Sequence, residues 1–354
     1  MDLGLNKKIL FRCDGNSILG LGHVTRCINI ANKFSNSFEW ETFFLGSYNQ
    51  YAKNIIKSAG HEVLDVDLVN YDSENEVLQI INTLEKFNIN VLFFDSRTNM
   101  LIADFSKICA YNVFITTLDD PNERRILTDL AFYPPVQSVH KMDWSKFKGN
   151  KFIDWDYYPL NEKIIQNRRL RNYKTYEKPK TICISMGSID PFNYTYSVLH
   201  ELLNMNESFE IEIIIGPNNK FEHTLDQFFL HEKQGIRIIK NESDITKVFE
   251  NADLGLITCG ATAYEAACVG LPTMLFPLNK EHFLSANSLV DAGISLHAWP
   301  NFPVLNSGLG ERIKCLISDV EKLSKMSQKS LNLIDGMGAS RIFHAISISY
   351  MEWV

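Results

Sequence analysis

Twice along this chain an apolar run stops at a glycine-bearing loop that leads into an amphipathic stretch. That repeated beat leaves few folds open. In the first half, Ile9–Cys13, Glu41–Leu45, His61–Leu64, Val91–Asp95 and Val113–Leu118 read as strands. The helical patterns Val24–Phe34, Tyr51–Ser58, Glu74–Phe87 and Ala103–Ala110 lie between them. Strands alternating with helices predict a parallel sheet covered on both faces. From Tyr133 to Lys178 the pattern lapses into aromatic, proline and charged residues, which reads as a crossover followed by a linker. A second series follows, with strands at Thr181–Met186, Ile211–Ile215, Ile236–Ile239, Leu254–Thr258 and Thr273–Pro277. Its helices include Asn193–Leu203, Ala261–Val269 and His282–Asp291. The expected architecture is α/β, with two Rossmann-like, doubly wound parallel-sheet domains. They span 1–165 and 179–330, joined by a linker at 166–178, and a terminal helix at 331–354 packs back on the first domain. Ligands of such sheets bind beyond the C-terminal strand ends, so the two domains are expected to face a central cleft.

Composition excludes several classes. At 354 residues the chain exceeds one ordinary core and suits two domains. Its 45% hydrophobic and 22% charged residues mark a globular protein. A net charge of -7 with no concentrated basic run argues against nucleic acid as a partner. The short clusters Arg124-Arg125 and Arg168-Arg169-Leu170-Arg171 read as solvated faces. The seven cysteines are scattered, with no C-x-x-C pair and no disulfide framework, so neither metal nor cofactor is expected. No signal peptide and no membrane-spanning run are visible, which leads to the expectation of a cytoplasmic monomer acting on a small molecule.

Three loops carry the candidate chemistry. In Gly20-Leu21-Gly22-His23-Val24-Thr25-Arg26, a histidine stands where the helix after the first strand begins. A helix N-terminus offers unpaired N–H groups and a positive dipole end, and glycines let the backbone approach a ligand. Imidazole titrates near neutrality and can serve as a base. In the second half, Gly187-Ser188-Ile189-Asp190-Pro191-Phe192-Asn193 is the counterpart loop, with Asp190-Pro191 reading as a helix N-cap followed by proline at the first helical position. Farther on, Gly260, Ala261 and Thr262 form a strand-to-helix turn whose N–H groups can cradle a diphosphate. Glu265 lies a helical turn along, either to accept from a ribose diol or to close a capping box with Thr262.

Together these residues resemble the PseG-type UDP-sugar hydrolases of the pseudaminic-acid pathway, relatives of the MurG-type peptidoglycan glycosyltransferase. The resemblance spans nearly the whole chain. It rests on Arg12, Asp14, Gly20, Gly22, His23 and Arg26, on the acidic pair Asp119-Asp120, and on the Gly187–Asn193 loop. It also rests on Gly260, Thr262 and Glu265, then Gly270-Leu271-Pro272 and the tail Asp335–Arg341. It implies a GT-B fold with UDP held mostly by the C-terminal domain and the sugar facing the N-terminal one. It implies that His23 activates water and places Asp14 in the catalytic equipment. Gly20, Gly22, Arg26, Asp95, Gly187, Ser188 and Asn193 are then expected at the substrate.

The chain departs from that family at two places. An asparagine–glutamine pair gives way to Asn279-Lys280, both expected at the substrate, and an aspartate–histidine–tyrosine run gives way to Asp95-Ser96-Arg97. The leading expectation is hydrolysis of a UDP-linked acetamido-deoxysugar. A glycosyltransferase using the same donor site and a non-catalytic nucleotide-sugar binder are the alternatives.

Overall fold

The computed structural model describes residues 7–16, 20–37, 39–66, 72–170, 178–205, 207–216, 219, 235–240, 245–301 and 308–354. The chain divides into two compact units, Met1–Glu162 with Gly336–Val354, and Lys163–Asp335. Part of the expected linker, 171–177, lies outside the described residues.

The first unit runs β1 (Lys7–Cys13), α1 (Gly22–Asn36), β2 (Trp40–Gly46), α2 (Gln50–Ser58), β3 (Glu62–Asp65), α3 (Ser73–Phe87), β4 (Val91–Asp95), α4 (Ile102–Ile108) and β5 (Phe114–Leu118). It continues through β6 (Leu130–Tyr133), α5 (Gln137–His140) and β7 (Asn150–Ile153). Among the described residues these strands form one parallel sheet in the order β3-β2-β1-β4-β5-β6-β7. Burial on both faces explains why its inner strands are apolar almost without interruption. Ile9, Phe11 and Cys13 of β1 face a cluster with Val24, Cys27 and Phe34 of α1. Leu10 packs on the opposite side with Val77 and Ile80 of α3. The apolar residues of α1 recur at three- and four-residue intervals, the period that puts them on one side.

The stretch read as crossover and linker in fact supplies a strand, β7, and β6 just before it adds another that was not expected. β6 is apolar and buried but only four residues long, and β7 is an edge strand whose residues are exposed or half-buried, so β7 lacks the apolar run that marks an inner strand.

The second unit contains β8 (Thr181–Ser185), α6 (Tyr194–Leu203), β9 (Glu210–Ile215), β10 (Ile236–Lys240), α7 (Thr246–Asn251), β11 (Leu254–Thr258) and α8 (Ala261–Cys268). It ends with β12 (Thr273–Phe276), α9 (Lys280–Asp291), β13 (Ser295–His297), α10 (Leu309–Ser318) and α11 (Val320–Leu333). The described strands are again all parallel, in the order β10-β9-β8-β11-β12-β13. The short β13 adds a strand to those expected. The final helical stretch is broken at Gly336, which takes φ +87°. Helix α12 (Gly338–Trp353) then packs on the first unit's core, with Phe343 against Phe34 at 4.8 Å and Tyr350 against Trp40 at 5.6 Å between ring centres.

Both sheets reverse their strand order once, between β1 and β4 and between β8 and β11. In open α/β sheets the ligand crevice forms at such a switch point, outside the carboxyl ends of the strands. The candidate loops leave from those ends.

Candidate functional site

In the first unit, β1 ends at Cys13 and the chain turns through Asp14 and Gly15. The loop closes with Gly20 N–H donating to Asn16 O at 2.9 Å, and Gly20 takes φ +74°. Helix α1 then starts at Gly22, and its N-cap residue, Leu21, makes no side-chain capping bond. The first N–H groups of a helix have no partner within it.

His23 sits on the first turn and is half-buried. Its Nδ1 lies 2.7 Å from Asp95 Oδ1, at the end of β4 across the switch point. Arg26 is one turn along the same helix, and its Nε donates to Asp95 Oδ2 at 2.6 Å. Arg26 Nη2 also donates to Asp95 Oδ1 and approaches His23 Nδ1 at 3.1 Å. One ring nitrogen cannot both donate to the carboxylate and accept from the guanidinium. The shorter contact to a carboxylate gives Nδ1 the proton, and Nε2 keeps its lone pair. The Cys27 thiol adds a 3.5 Å contact to Asp95 Oδ2. Burial alone would push the Asp95 carboxyl up, but the Arg26 guanidinium and His23 outweigh it and hold it well below the usual carboxylate range. Asp95 is therefore an anion whose oxygens are spent on orienting His23 and Arg26.

Asp14 has other partners. Its Oδ1 pairs with buried Arg12 at 2.8 Å and accepts the Ser47 N–H at 2.9 Å, while Oδ2 accepts the Ser96 hydroxyl at 3.1 Å. Arg12 also reaches Glu76 of α3 at 2.7 Å, and Glu76 accepts from Thr98 at 3.3 Å. This network ties the loops after β1, β2 and β4 together. His23, Arg26 and Asp95 are thus brought into one constellation, with Asp14 in the scaffold beside it.

Sequence reasoning left Asp119 and Arg97 out of the site. Asp119 follows β5 in a left-handed conformation at φ +54°. Its carboxylate binds Arg97 at 2.6 Å and lies 3.6 Å from Arg26. The acidic pair followed by Pro121 was the one available signal. Asp120 turns inward to Arg124 at 2.7 Å, and both are buried.

The second unit places its predicted residues on adjacent loops. Gly187 follows β8 at φ +77°. Asp190 corrects the capping expectation. Helix α6 begins at Tyr194, after Asn193 at φ +52°, so Pro191 lies outside it. The fully buried Asp190 carboxylate instead reaches forward to accept the N–H groups of Tyr194 at 2.8 Å and Thr195 at 3.0 Å. A carboxylate can cap from four residues upstream when the intervening turn folds back, and left-handed backbone at Asp190 and Asn193 does that here. Ser188 is half-buried on the same turn.

Gly260 precedes α8 at φ +146° and ψ −156°, a conformation open essentially to glycine alone. A Cβ there would meet nothing within 4 Å. Ala261, Thr262 and Glu265 are half-buried, whereas Ala263, Tyr264, Ala266 and Ala267 face the core. Since Gly260 is the N-cap and Thr262 lies inside the helix, no capping box joins Thr262 to Glu265. After β12, the Asn279 side chain caps α9 by accepting His282 N–H at 2.7 Å, and Lys280 is exposed on the first turn. Asn279 Oδ1 is thereby committed to the helix. Among the described residues, no group of three or more His, Cys, Asp or Glu could hold a metal, and no helix is long and apolar enough to cross a membrane.

Solved structures share this architecture along nearly the full chain. MurG of Acinetobacter baumannii superposes with a TM-score of 0.69 at 11% identity, covering 97% of this chain and 99% of that one. MnaA of S. aureus, solved with UDP, gives 0.70 at 13% identity, covering 98% of each. The fold is GT-B. A scan of protein-family models finds no match. Among curated sequences, an uncharacterized protein of Methanocaldococcus jannaschii is 24% identical over 291 residues, 77% of this chain and 56% of the relative. The spore coat polysaccharide biosynthesis protein SpsG of Bacillus subtilis is 20% identical over 169 residues, 46% of this chain and 48% of that one. The aligned part of the chain thus spans about half the length of the curated relatives it matches.

Proposed function

We propose that this protein hydrolyses a UDP-linked acetamido-deoxysugar to free sugar and UDP, as the resemblance to PseG-type hydrolases implies. The observation that carries the reading is the Asp95–His23 pair at the first switch point, with Asp95 on Nδ1 and Nε2 left as base. In this mechanism His23 Nε2 takes a proton from water while the water oxygen bonds to the electrophilic carbon of the sugar. The bond from that carbon to the UDP oxygen breaks, UDP leaves as an anion, and His23 returns its proton to solvent. Asp95 stabilises the imidazolium and keeps the ring oriented, and Asp14 holds the loop beneath it.

UDP is assigned to the second unit. Backbone N–H groups at Gly260, Ala261 and Thr262 take the diphosphate, and Glu265 takes the ribose. Gly187, Ser188 and Asn193 border the same switch point, and Lys280 supplies a cation on an adjoining loop. Supporting this, MnaA of the same fold is solved with UDP, and the UDP-GlcNAc 2-epimerase of Neisseria meningitidis is solved with UDP-GlcNAc. SpsG is named for polysaccharide biosynthesis.

The test is UDP release from UDP-linked 2,4-diacetamido and N-acetylhexosamine sugars, with and without candidate acceptor alcohols. Release in water alone, lost by about a hundredfold or more in His23→Asn with UDP affinity kept, is the expected outcome. Release only with an acceptor would make the protein a transferase. Conversion to an isomeric UDP-sugar without release would make it an epimerase, and binding without turnover would leave a nucleotide-sugar binder.

A further inference from the structure

We infer that Arg97 is a specificity-determining residue that reads a neutral hydrogen-bond acceptor, the carbonyl of an acylamino substituent, on the sugar. This inference rests on the nucleotide-sugar reading above.

Arg97 stands two residues beyond the end of β4, whose last residue, Asp95, orients His23. Its Nη1 donates to the Asp119 carbonyl at 2.7 Å and its Nη2 to the Asp119 carboxylate at 2.6 Å. With Asp119 in the left-handed conformation, both of its acceptors meet one guanidinium. For a residue with a Cβ that conformation costs about 1–2 kcal/mol. The same carboxylate oxygen faces Arg26, so an unbroken chain of contacts runs from Arg97 through Asp119 and Arg26 to Asp95 and His23.

An exposed arginine in an ordinary surface pair wanders, and such pairs contribute little. Arg97 is different because its loop is clamped from below. The buried Arg124 guanidinium donates to the carbonyls of Ser96 at 3.0 Å, Thr98 at 2.8 Å and Met100 at 3.3 Å, and lies over the Phe94 ring at 4.7 Å. With both ends held, Arg97 keeps a 31% exposed side chain whose Nε–H and outer amino hydrogens have no partner among the described residues. They are donors on a partly exposed, held side chain with no acceptor among the described residues.

The charge around them selects the acceptor. Arg26 and Arg97 are balanced by Asp95 and Asp119, and the scaffold below adds Arg12 against Asp14 and Glu76. These groups carry one negative charge more than positive. A carboxylate on the sugar would meet Asp119 without surplus positive charge to hold it, while an amide carbonyl takes the same N–H groups at no such cost. The phenol that the resembling family carries at this place can donate only once. The guanidinium fork donates along an edge.

The experiment uses the full chain and measures both affinity and UDP-release kcat/KM for a UDP-linked 2,4-diacetamido sugar, UDP-N-acetylglucosamine, UDP-glucose and UDP-glucuronate. Wild type should favour the acylamino sugars over UDP-glucose and UDP-glucuronate by tenfold or more. Arg97→Ala should lose at least tenfold more on the acylamino sugars than on UDP-glucose, while an unchanged urea-unfolding transition of the full chain reports an intact fold. Arg97→Lys should not restore the preference, since an ammonium gathers its three donors at one atom and lacks the planar fork that holds Asp119 along one edge while donating along another. Equal losses on all sugars, an unchanged preference, or a wild-type preference for UDP-glucuronate overturns the inference. Should wild type bind these sugars without releasing UDP, hydrolysis fails while the affinity series still decides Arg97. Should it bind none of them, both fail.

Discussion

Gly22 offers a substitution in which stability and activity should move in opposite directions. It is the first residue of α1, exposed, and outside the left-handed region, so its backbone does not require glycine. A Cβ built there meets nothing within 4 Å. Among the described residues, then, nothing opposes alanine. Gly22→Ala should stabilise the first unit by about 0.4–1 kcal/mol, chiefly by restricting the unfolded chain. For a unit of this size that is a rise in Tm of about 1–4 °C. If a substrate approaches the backbone beside His23, the added methyl occupies the approach path and kcat/KM falls, by about tenfold for a displacement costing about 1.4 kcal/mol. Gly20→Ala is the control. At φ +74° it should lose about 1–2 kcal/mol although its Cβ also meets open space. Differential scanning calorimetry and UDP-release kinetics on both variants decide the matter. A Gly22→Ala protein that is more stable and fully active refutes the close approach, and one that is less stable refutes the reading of the turn.

The buried His61 ring accepts from Thr42 at 2.7 Å and donates to Asn32 at 3.0 Å, and burial lowers its pKa from 6.5 to about 4. The unfolded state then takes up a proton first as pH falls, so stability should decline from about pH 6.5 toward 4 by as much as about 3 kcal/mol. Denaturant titrations of wild type and His61→Gln across that range check this, and an unchanged slope in the variant would exclude His61 as the cause. Arg124→Leu strips the buried Asp120 of its ion-pair partner and three carbonyls of their donor, and should cost about 3–5 kcal/mol in urea unfolding. A loss below 1 kcal/mol would mean that water replaces the guanidinium. Glu265→Ala should weaken UDP binding by about tenfold or more, the scale of a lost hydrogen bond to a charged group, and equal affinity by calorimetry would remove Glu265 from the ribose.

What the sequence determined by itself is local. An apolar run followed by a glycine turn and a 3.6-residue period makes strand, loop and helix whatever else surrounds them. The inner strands, α1, α3 and α8, and the glycine conformations at Gly20, Gly187 and Gly260 were legible on those grounds. Edges were not. The exposed β7 and three-residue β13 exist because a neighbouring strand offers them a hydrogen-bonding ladder, which their own residues do not announce. Capping by Asp190 was legible as chemistry and misplaced by three residues, because backbone turns decide how far a carboxylate reaches. Tertiary structure alone decided the partnerships. His23 and Asp95 are 72 residues apart, and Arg97 and Asp119 are 22 apart. The strand order β1-β4-β5 brings these ends side by side, and short-range charge interactions then choose which acid meets which base. Periodicity is a property of neighbours in sequence, whereas a catalytic or specificity pair is a property of neighbours in space.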